Sequence, residues 1–405
     1  AGIGADRAAR FGCVIGVDRG GRTQELRDAG ADVVVADSSQ VQATVEPPPE
    51  WSLVFTGFEP AHEGVRETLC TLGNGYFATR AAASWSIADD VHYPGTYLAC
   101  GYNRLHTDIA GRVVENEDLV NLPNWLELKF RIGAEDWFDM RAVTLSSYRQ
   151  ELDLRHGMLL RSISFEDDKG RKSTLGERRF ISMRNMHLGA LELTLTAHDW
   201  SAPVTVRSAI DARIVNSGAR LYRKFSNKHI EPLAAEAVGK DGVAMTVRTT
   251  QSHVNVTQAS RTQAKHHGKL LDRSRQIIEE PGYIGQEFCM DLAPGEPLVI
   301  NKIAALYSSR DRAISECGFE ARKAISRAGS FDELAAAHAL TWKHLWRRFD
   351  VRIEPADPSF KLNVSMLLRL NMFHLLQAVS PNSIGLDIGV PARGWTGEGY
   401  QGHIF

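Results

Sequence analysis

The sequence predicts a multidomain chain in which a short α/β unit precedes a large antiparallel β-sandwich and a helical region. Three observations predict this. Residues 10–37 read as strand, helix, strand; residues 51–307 hold many short runs of alternating apolar and polar residues; after Tyr307 the hydrophobic period becomes helical.

In the first unit, FGCVIGV is an apolar run bounded by Asp18-Arg19-Gly20-Gly21, TQELRDAGA a short polar helix ended by Gly30, and DVVVAD a second buried strand. Strands alternating with a helix imply parallel pairing, and so small a unit cannot bury both its faces. Val45-Glu46-Pro47-Pro48-Pro49-Glu50 reads as a linker, because consecutive prolines hold an extended backbone without ladder donors, and a domain boundary is expected near residue 50.

The runs LLRSISFE, RRFISMRN, LGALELTLTA, APVTVRSAIDARIV, GVAMTVRTT and HVNVTQAS alternate with period two, with Asp168-Lys169-Gly170 and Asp241-Gly242 as turns between them. Strands in this number without intervening helices argue a sandwich with one face of each sheet in the core. Gly73-Asn74-Gly75 reads as a hairpin turn rather than a phosphate cradle, since no strand-loop-Lys-Ser/Thr context surrounds it. His266 and His267 are adjacent, so their side chains are expected to point apart and to make a poor metal site, and no metal ligand is assigned.

Beyond Tyr307, residues 310–327 are expected as one amphipathic helix. A second begins at Ser330, where Ser330-Phe331-Asp332-Glu333 has the spacing of a capping box, and runs to Phe349 with Leu334, Ala337, Thr341, Leu345 and Phe349 near one face. His338 falls close to that face, where a hydrogen-bonded core histidine is favoured over a ligand. Asp357 is expected to cap a third helix with Pro358 at its first position, and that helix is apolar on nearly every side, as suits an inner one.

Composition bounds the function. With 405 residues, 43% hydrophobic and 24% charged, the chain is that of an ordinary globular protein, and 47 basic against 49 acidic residues favour neither nucleic acid nor an anionic membrane. The apolar stretch Val364–Val379 is interrupted by Arg369, Asn371, His374 and Gln377, which argues against a membrane span. Five scattered cysteines without metal-ligand spacing read as reduced thiols, and the cytoplasm as the location.

The final stretch, Ile384 to Phe405, contains six glycines, with Trp395, Glu398, Tyr400 and His403 among them. Glycines let backbone approach a ligand, and the flat aromatic faces suit sugar stacking. Together with ETLCTLGNGYFATR (Glu67 to Arg80), HYPGTYLACGYN (His92 to Asn103) and ENEDLVNLPNWLEL (Glu115 to Leu128), the segment ARGWTGEGYQGHIF resembles, in order over residues 51–405, the family-65 glycoside hydrolases, which include maltose, trehalose and kojibiose phosphorylases.

The resemblance implies a β-sandwich domain over 51–307, a helical linker over 308–356, and the start of an (α/α)6 catalytic barrel over 357–405. It also implies cleavage of an α-glucosyl disaccharide with inversion, with inorganic phosphate (giving β-glucose 1-phosphate and glucose) or water as acceptor and with no other cofactor. In the family a Trp-Asp-Thr-Glu run follows this segment, and the catalytic acid is a Glu further downstream. Neither lies within these 405 residues, so a piece of a longer protein is expected and no catalytic residue is assigned.

Residues 1–45 resemble the C-terminal end of haloacid-dehalogenase-type phosphatases and sugar phosphomutases of the β-phosphoglucomutase kind. The nucleophilic Asp, the Lys and the metal-binding acidic pair of that family would all precede this point, so no phosphatase activity is expected.

The candidate substrate-binding residues are Trp395, Glu398, Tyr400, Gln401, Gly402 and His403 in the final loop, with Asn74, Tyr76, Arg80 and the Asn121-Leu122-Pro123-Asn124-Trp125 turn from the sandwich. Glu398 has two readings, a sugar contact or a brace that accepts backbone N–H bonds, and the brace is favoured. The expected partners are a disaccharide and phosphate, with a homodimer allowed. The alternative function is a non-catalytic carbohydrate-binding or interaction module built on the sandwich.

Overall fold

A computed structural model describes residues 15–17, 23–28, 33–35, 50–218, 225–351, 353, 363–384, 386 and 398. The chain divides into two compact units, Ala1–Glu50 and Trp51–Phe405. In the first, strands Ile15–Val17 and Val33–Val35 pair in parallel, with helix Thr23–Asp28 between them in sequence.

The second unit is built on antiparallel sheets. Ten strands from Ser52–Thr56 to Pro297–Ser308 form one large sheet, while Leu128–Ile132, Ala202–Asp211, Gln276–Glu280 and Tyr283–Leu292 form a second of four. The alternation seen in the sequence puts Leu191, Leu193 and Leu195, with Ile163, Leu175 and Ile300, into one buried cluster with Phe130, Val204, Val206, Ile284 and Phe288 of the smaller sheet. This is the expected sandwich core, and its side chains are excluded from water from both directions.

The opposite face of the large sheet is lined by small residues. Ala190, Ala244, Ala259 and Ala305 cluster there with Phe180, Ile303 and the helical residues Ala321, Ile325 and Phe331. Short side chains let helices Cys317–Arg327 and Phe331–Phe349 lie close on the strands.

Several expectations need correction. A ten-residue helix, Pro60–Leu69, interrupts the strands, with Pro60 in its first turn. The helix expected over 310–327 covers only Cys317–Arg327. Upstream of it Asp311 accepts the Ser308 N–H and the Tyr76 hydroxyl, Ala313 takes a positive φ of 58°, and Glu316 caps the helix by accepting from Gly318 and Phe319.

The second helix keeps its capping box at Ser330 and Glu333 and ends at Asp350. Its buried side is Phe331, His338, Trp342, Leu345 and Trp346, rotated from the expected face, and Phe349 is exposed. His338 is a core histidine, as expected: Nδ1 accepts the Met183 N–H at 3.0 Å, Nε2 donates to the Gly157 carbonyl at 3.0 Å, and burial pulls its pKa down to about 4. The third helix is Val364–Ala378, capped by the Asn363 side chain, which accepts the Met366 N–H at 2.9 Å. The expected cap at Asp357, with Pro358, lies outside the described residues. One face of this helix is buried through Arg369, Leu370, Phe373 and Leu376, while Leu375 and Val379 are exposed.

Gly73-Asn74-Gly75 does form a hairpin turn, between Leu72–Gly73 and Phe77–Thr79. His266 and His267 do not point apart. His266 ends strand Asn255–His266, His267 takes a positive φ of 50° in the turn, and the ring centroids lie 4.1 Å from each other. Period-two alternation holds only within a strand, and it ends at this turn.

Candidate functional site

Glu398 is the one member of the final-loop candidates among the described residues, and it is buried against the sandwich unit. Its main-chain carbonyl accepts the Leu119 N–H at 2.9 Å, at the end of strand Arg112–Leu119. Its carboxylate accepts the Gly218 N–H at 2.8 Å and the hydroxyl of Tyr93, and the Tyr97 hydroxyl stands at 3.5 Å. A β-carbon at Gly218 would lie 2.9 Å from the Tyr93 ring and 3.2 Å from the Glu398 carboxylate, so the absence of a side chain permits this approach.

Tyr93 is itself held on several sides. Its oxygen accepts from the Ser217 N–H at 2.9 Å and the Asn121 side-chain amide at 3.1 Å, with the Val215 carbonyl at 3.0 Å as a second acceptor for its one proton. Asn121 also accepts the Thr96 N–H at 3.0 Å, tying the Asn121–Trp125 turn to strand Thr96–Leu98. Burial pushes the Glu398 pKa up to about 7; the bonds from Tyr93 and Gly218 lower it, Asp118 raises it and Arg80 lowers it. Burial also raises the Tyr93 and Tyr97 hydroxyls, with the Glu398 charge the next contribution.

Arg80 therefore acts on Glu398 through its field. Its bonds include those to the Tyr93 carbonyl at 3.1 Å, the Thr68 hydroxyl at 2.8 Å and the Gly64 carbonyl at 3.1 Å, and it stands 3.6 Å from Glu67. Asn74 and Tyr76 are anchored elsewhere. Asn74 donates to the carbonyls of Ser182 and Met186 and accepts the N–H groups of Tyr76 and Phe77, which spends its side chain on backbone. Its carbonyl accepts Ser380 at 2.5 Å and Asn382 at 3.0 Å, fastening the chain that follows the third helix. Tyr76 donates to Asp311 at 2.7 Å. Trp395, Tyr400, Gln401, Gly402 and His403 lie outside the described residues.

Tyr93, Tyr97 and Gly218 were not singled out from the sequence. The signal was present for the tyrosines, four residues apart in HYPGTYLACGYN, but an aromatic in a β-rich segment is more often core than site. Gly218 carried none. A cavity of ≈ 660 Å³ opens beside the second helix, lined by Trp51, Arg155, His156, Lys343, Trp346 and Arg347 among others, and includes none of the candidate residues. No helix of the described residues is long and apolar enough to cross a membrane.

A sandwich of these sheets followed by helices, with Glu398 buried against it, defines a class that comparison with known proteins identifies. The N-terminal domain of glycosyl hydrolase family 65 matches residues 53–345 and the family's central catalytic domain matches residues 369–405, so the chain belongs to glycosyl hydrolase family 65.

Among its relatives, an uncharacterized glycosyl hydrolase of Mycobacterium tuberculosis is 37% identical over 90% of this chain and 27% of its own length. A kojibiose phosphorylase of Caldanaerobacter subterraneus is 27% identical over 88% of the chain and 44% of its own length. A trehalose 6-phosphate phosphorylase of Lactococcus lactis is 28% identical over 84% and 42%. A solved structure from human microbiome that carries the name kojibiose phosphorylase superposes with a TM-score of 0.75 at 19% identity, over 88% of this chain and 45% of that one, which supports the fold. The chain spans less than half the length of these relatives.

Proposed function

We propose that the chain is part of an inverting α-glucosyl disaccharide phosphorylase, or a related glycoside hydrolase, of carbohydrate metabolism. Residues 51–307 are its sandwich domain, 308–356 its helical linker and 357–405 the opening of its (α/α)6 barrel. Residues 1–45 are read as the tail of a haloacid-dehalogenase-like domain. The observation that carries the reading is the order of the two family matches, the sandwich domain and then the central catalytic domain, in one chain. The phosphorylases among its relatives, named for kojibiose and trehalose 6-phosphate, favour phosphate over water as the acceptor.

Inverting cleavage needs an acid for the leaving oxygen and a nucleophile on the opposite face of the sugar, and phosphate is a nucleophile that needs no added base. No residue of these 405 is assigned as that acid. Glu398 is read as the brace that holds the barrel's first loop on the sandwich, with Trp395, Tyr400, Gln401, Gly402 and His403 of that loop offered to the sugar. The loop glycines and aromatics would then form one wall of the site.

The test is glucose 1-phosphate release from kojibiose, trehalose, trehalose 6-phosphate and maltose, with and without inorganic phosphate. It is run on the 405-residue chain and on a protein that continues it through the rest of the catalytic domain. The expected result is phosphate-dependent release by the longer protein and none by the chain alone. Glucose release without phosphate would mark a hydrolase, and sugar binding without turnover by the longer protein would favour a carbohydrate-binding module instead.

A further inference from the structure

His266, His267 and Glu296 bring two imidazoles and a carboxylate together at one end of the large sheet, far in sequence from the Glu398 contacts. The His266 Nε2 lies 3.0 Å from one Glu296 oxygen and the His267 Nε2 lies 3.1 Å from the other, and the three ligand atoms fall within 4.8 Å of one another. The arrangement follows from the hairpin. Strand Asn255–His266 pairs with Pro297–Ser308 so that His266 faces Leu298, which leaves Glu296, two residues before Leu298, across from the turn. In that turn His267 has φ 50° and Gly268 has φ 72°, the left-handed pair of a tight hairpin, and this brings the His267 ring to the His266 side.

We propose that these three residues form a binding site for a divalent transition metal, zinc in the first place, which clips the hairpin turn to the loop before strand Pro297–Ser308. Zinc takes imidazole nitrogen and carboxylate oxygen at about 2.0–2.2 Å, so two ligands on a tetrahedral ion stand about 3.3 Å apart. The separations of 3.0 and 3.1 Å are close to that spacing and run to the two different Glu296 oxygens, so the carboxylate stands between the two rings and would share the ion with both.

Without metal, the same contacts are N–H donors on a carboxylate. Metal binding removes a proton from each ring or shifts it to Nδ1, because the ion needs the Nε2 lone pair, and binding therefore weakens as pH falls. His266 is mostly buried and His267 is more than half exposed. That leaves the fourth position open to water or another ligand, as in three-ligand sites.

The test is calorimetric titration of chelator-stripped 405-residue protein with Zn²⁺ at pH 7.5, beside His266→Gln, His267→Asn and Glu296→Gln. Asn tolerates the left-handed backbone at 267, and Gln keeps the shape at 296, so the hairpin is retained while a ligand is weakened or lost. Circular dichroism and the metal-free melting temperature confirm folding of each variant. One zinc per chain is expected, with affinity at least 10-fold weaker in every variant and a zinc-induced rise in Tm confined to the wild type. Co²⁺ in place of zinc should give ligand-field absorption without a thiolate charge-transfer band. Wild-type affinity in the variants, no heat up to about 0.1 mM Zn²⁺, or a thiolate band pointing to Cys289, which is exposed, would each overturn the assignment.

Discussion

Glu398 is a carboxylate taken out of water with one phenol and one backbone N–H as its main compensation. Its folded pKa, about 7, lies above the ordinary 4.5, so docking of this residue favours the protonated form. Its burial is best tolerated below pH 4.5, loses ground as pH rises, and carries the full penalty above pH 7, a difference of about 3 kcal/mol. Glu398→Gln keeps an acceptor for Gly218 and removes the charge. Its stability relative to wild type should therefore rise between pH 5 and pH 8, read as the shift in urea midpoint between the two proteins. A difference that does not change with pH would show that the carboxylate keeps its ordinary pKa when docked. The sequence singled out Glu398 because it stood among glycines and aromatics. Tyr93, Leu119 and Gly218 reach it from three separate segments, and proximity of that kind is set by the fold rather than by local pattern.

Helix Phe331–Phe349 shows what holds one element on the sheet. Trp342 stacks on Phe373 at 4.7 Å and lies 5.8 Å from Trp346, while His338 in the same helix bonds the Gly157 carbonyl. Gly157 has φ 66°, and a β-carbon there would run into the Trp342 indole. Gly133 has the same φ of 66° with nothing within 4 Å of an added β-carbon. Gly133→Ala should cost about 1 kcal/mol for the backbone alone, and Gly157→Ala roughly 2–4 kcal/mol, because the indole cannot retreat from its stack. Equal losses in thermal unfolding would mean that the helix shifts to accommodate the methyl group. The capping box made this helix's start legible, and its 3.6-residue period made the element legible. Its buried face was misjudged because Trp342, Trp346 and His338 carry polar atoms that a hydrophobicity pattern discounts, although each ring is mostly apolar surface. Helix Pro60–Leu69 is illegible in the sequence for a similar reason: its buried residues form no apolar stripe but are Glu63 and Arg66, which pair with each other, and Glu67, which pairs with Arg80 and His92.

At the scale of the molecule, the sandwich was readable because alternation repeats over many strands, while the boundary at its N-terminal edge rests on a few residues. Strand Ser52–Thr56 pairs with Arg149–Asp153 and lies at the margin of the large sheet. Trp51 just before it gives its carbonyl to the Leu154 N–H at 2.9 Å, sets its ring edge-on to Trp346 at 5.1 Å, and lies under the Arg369 guanidinium at 4.0 Å. One residue thus joins the sheet margin to the second and third helices. Two truncations separate this role from that of the first unit. A chain beginning at Glu50 should unfold with the same transition as the Trp51–Phe405 unit of the whole protein, since that unit has its own core. A chain beginning at Gly57 loses the edge strand and the partly buried Trp51 ring, and burial of that ring is worth roughly 1.5–3 kcal/mol. Its melting temperature should fall by several degrees, with loss of near-ultraviolet circular dichroism from the Trp51 and Trp346 pair. Equal transitions for the two truncations would show that Trp51 and its strand contribute nothing to this edge, and a large loss in the first would place residues 1–49 within the fold of the sandwich.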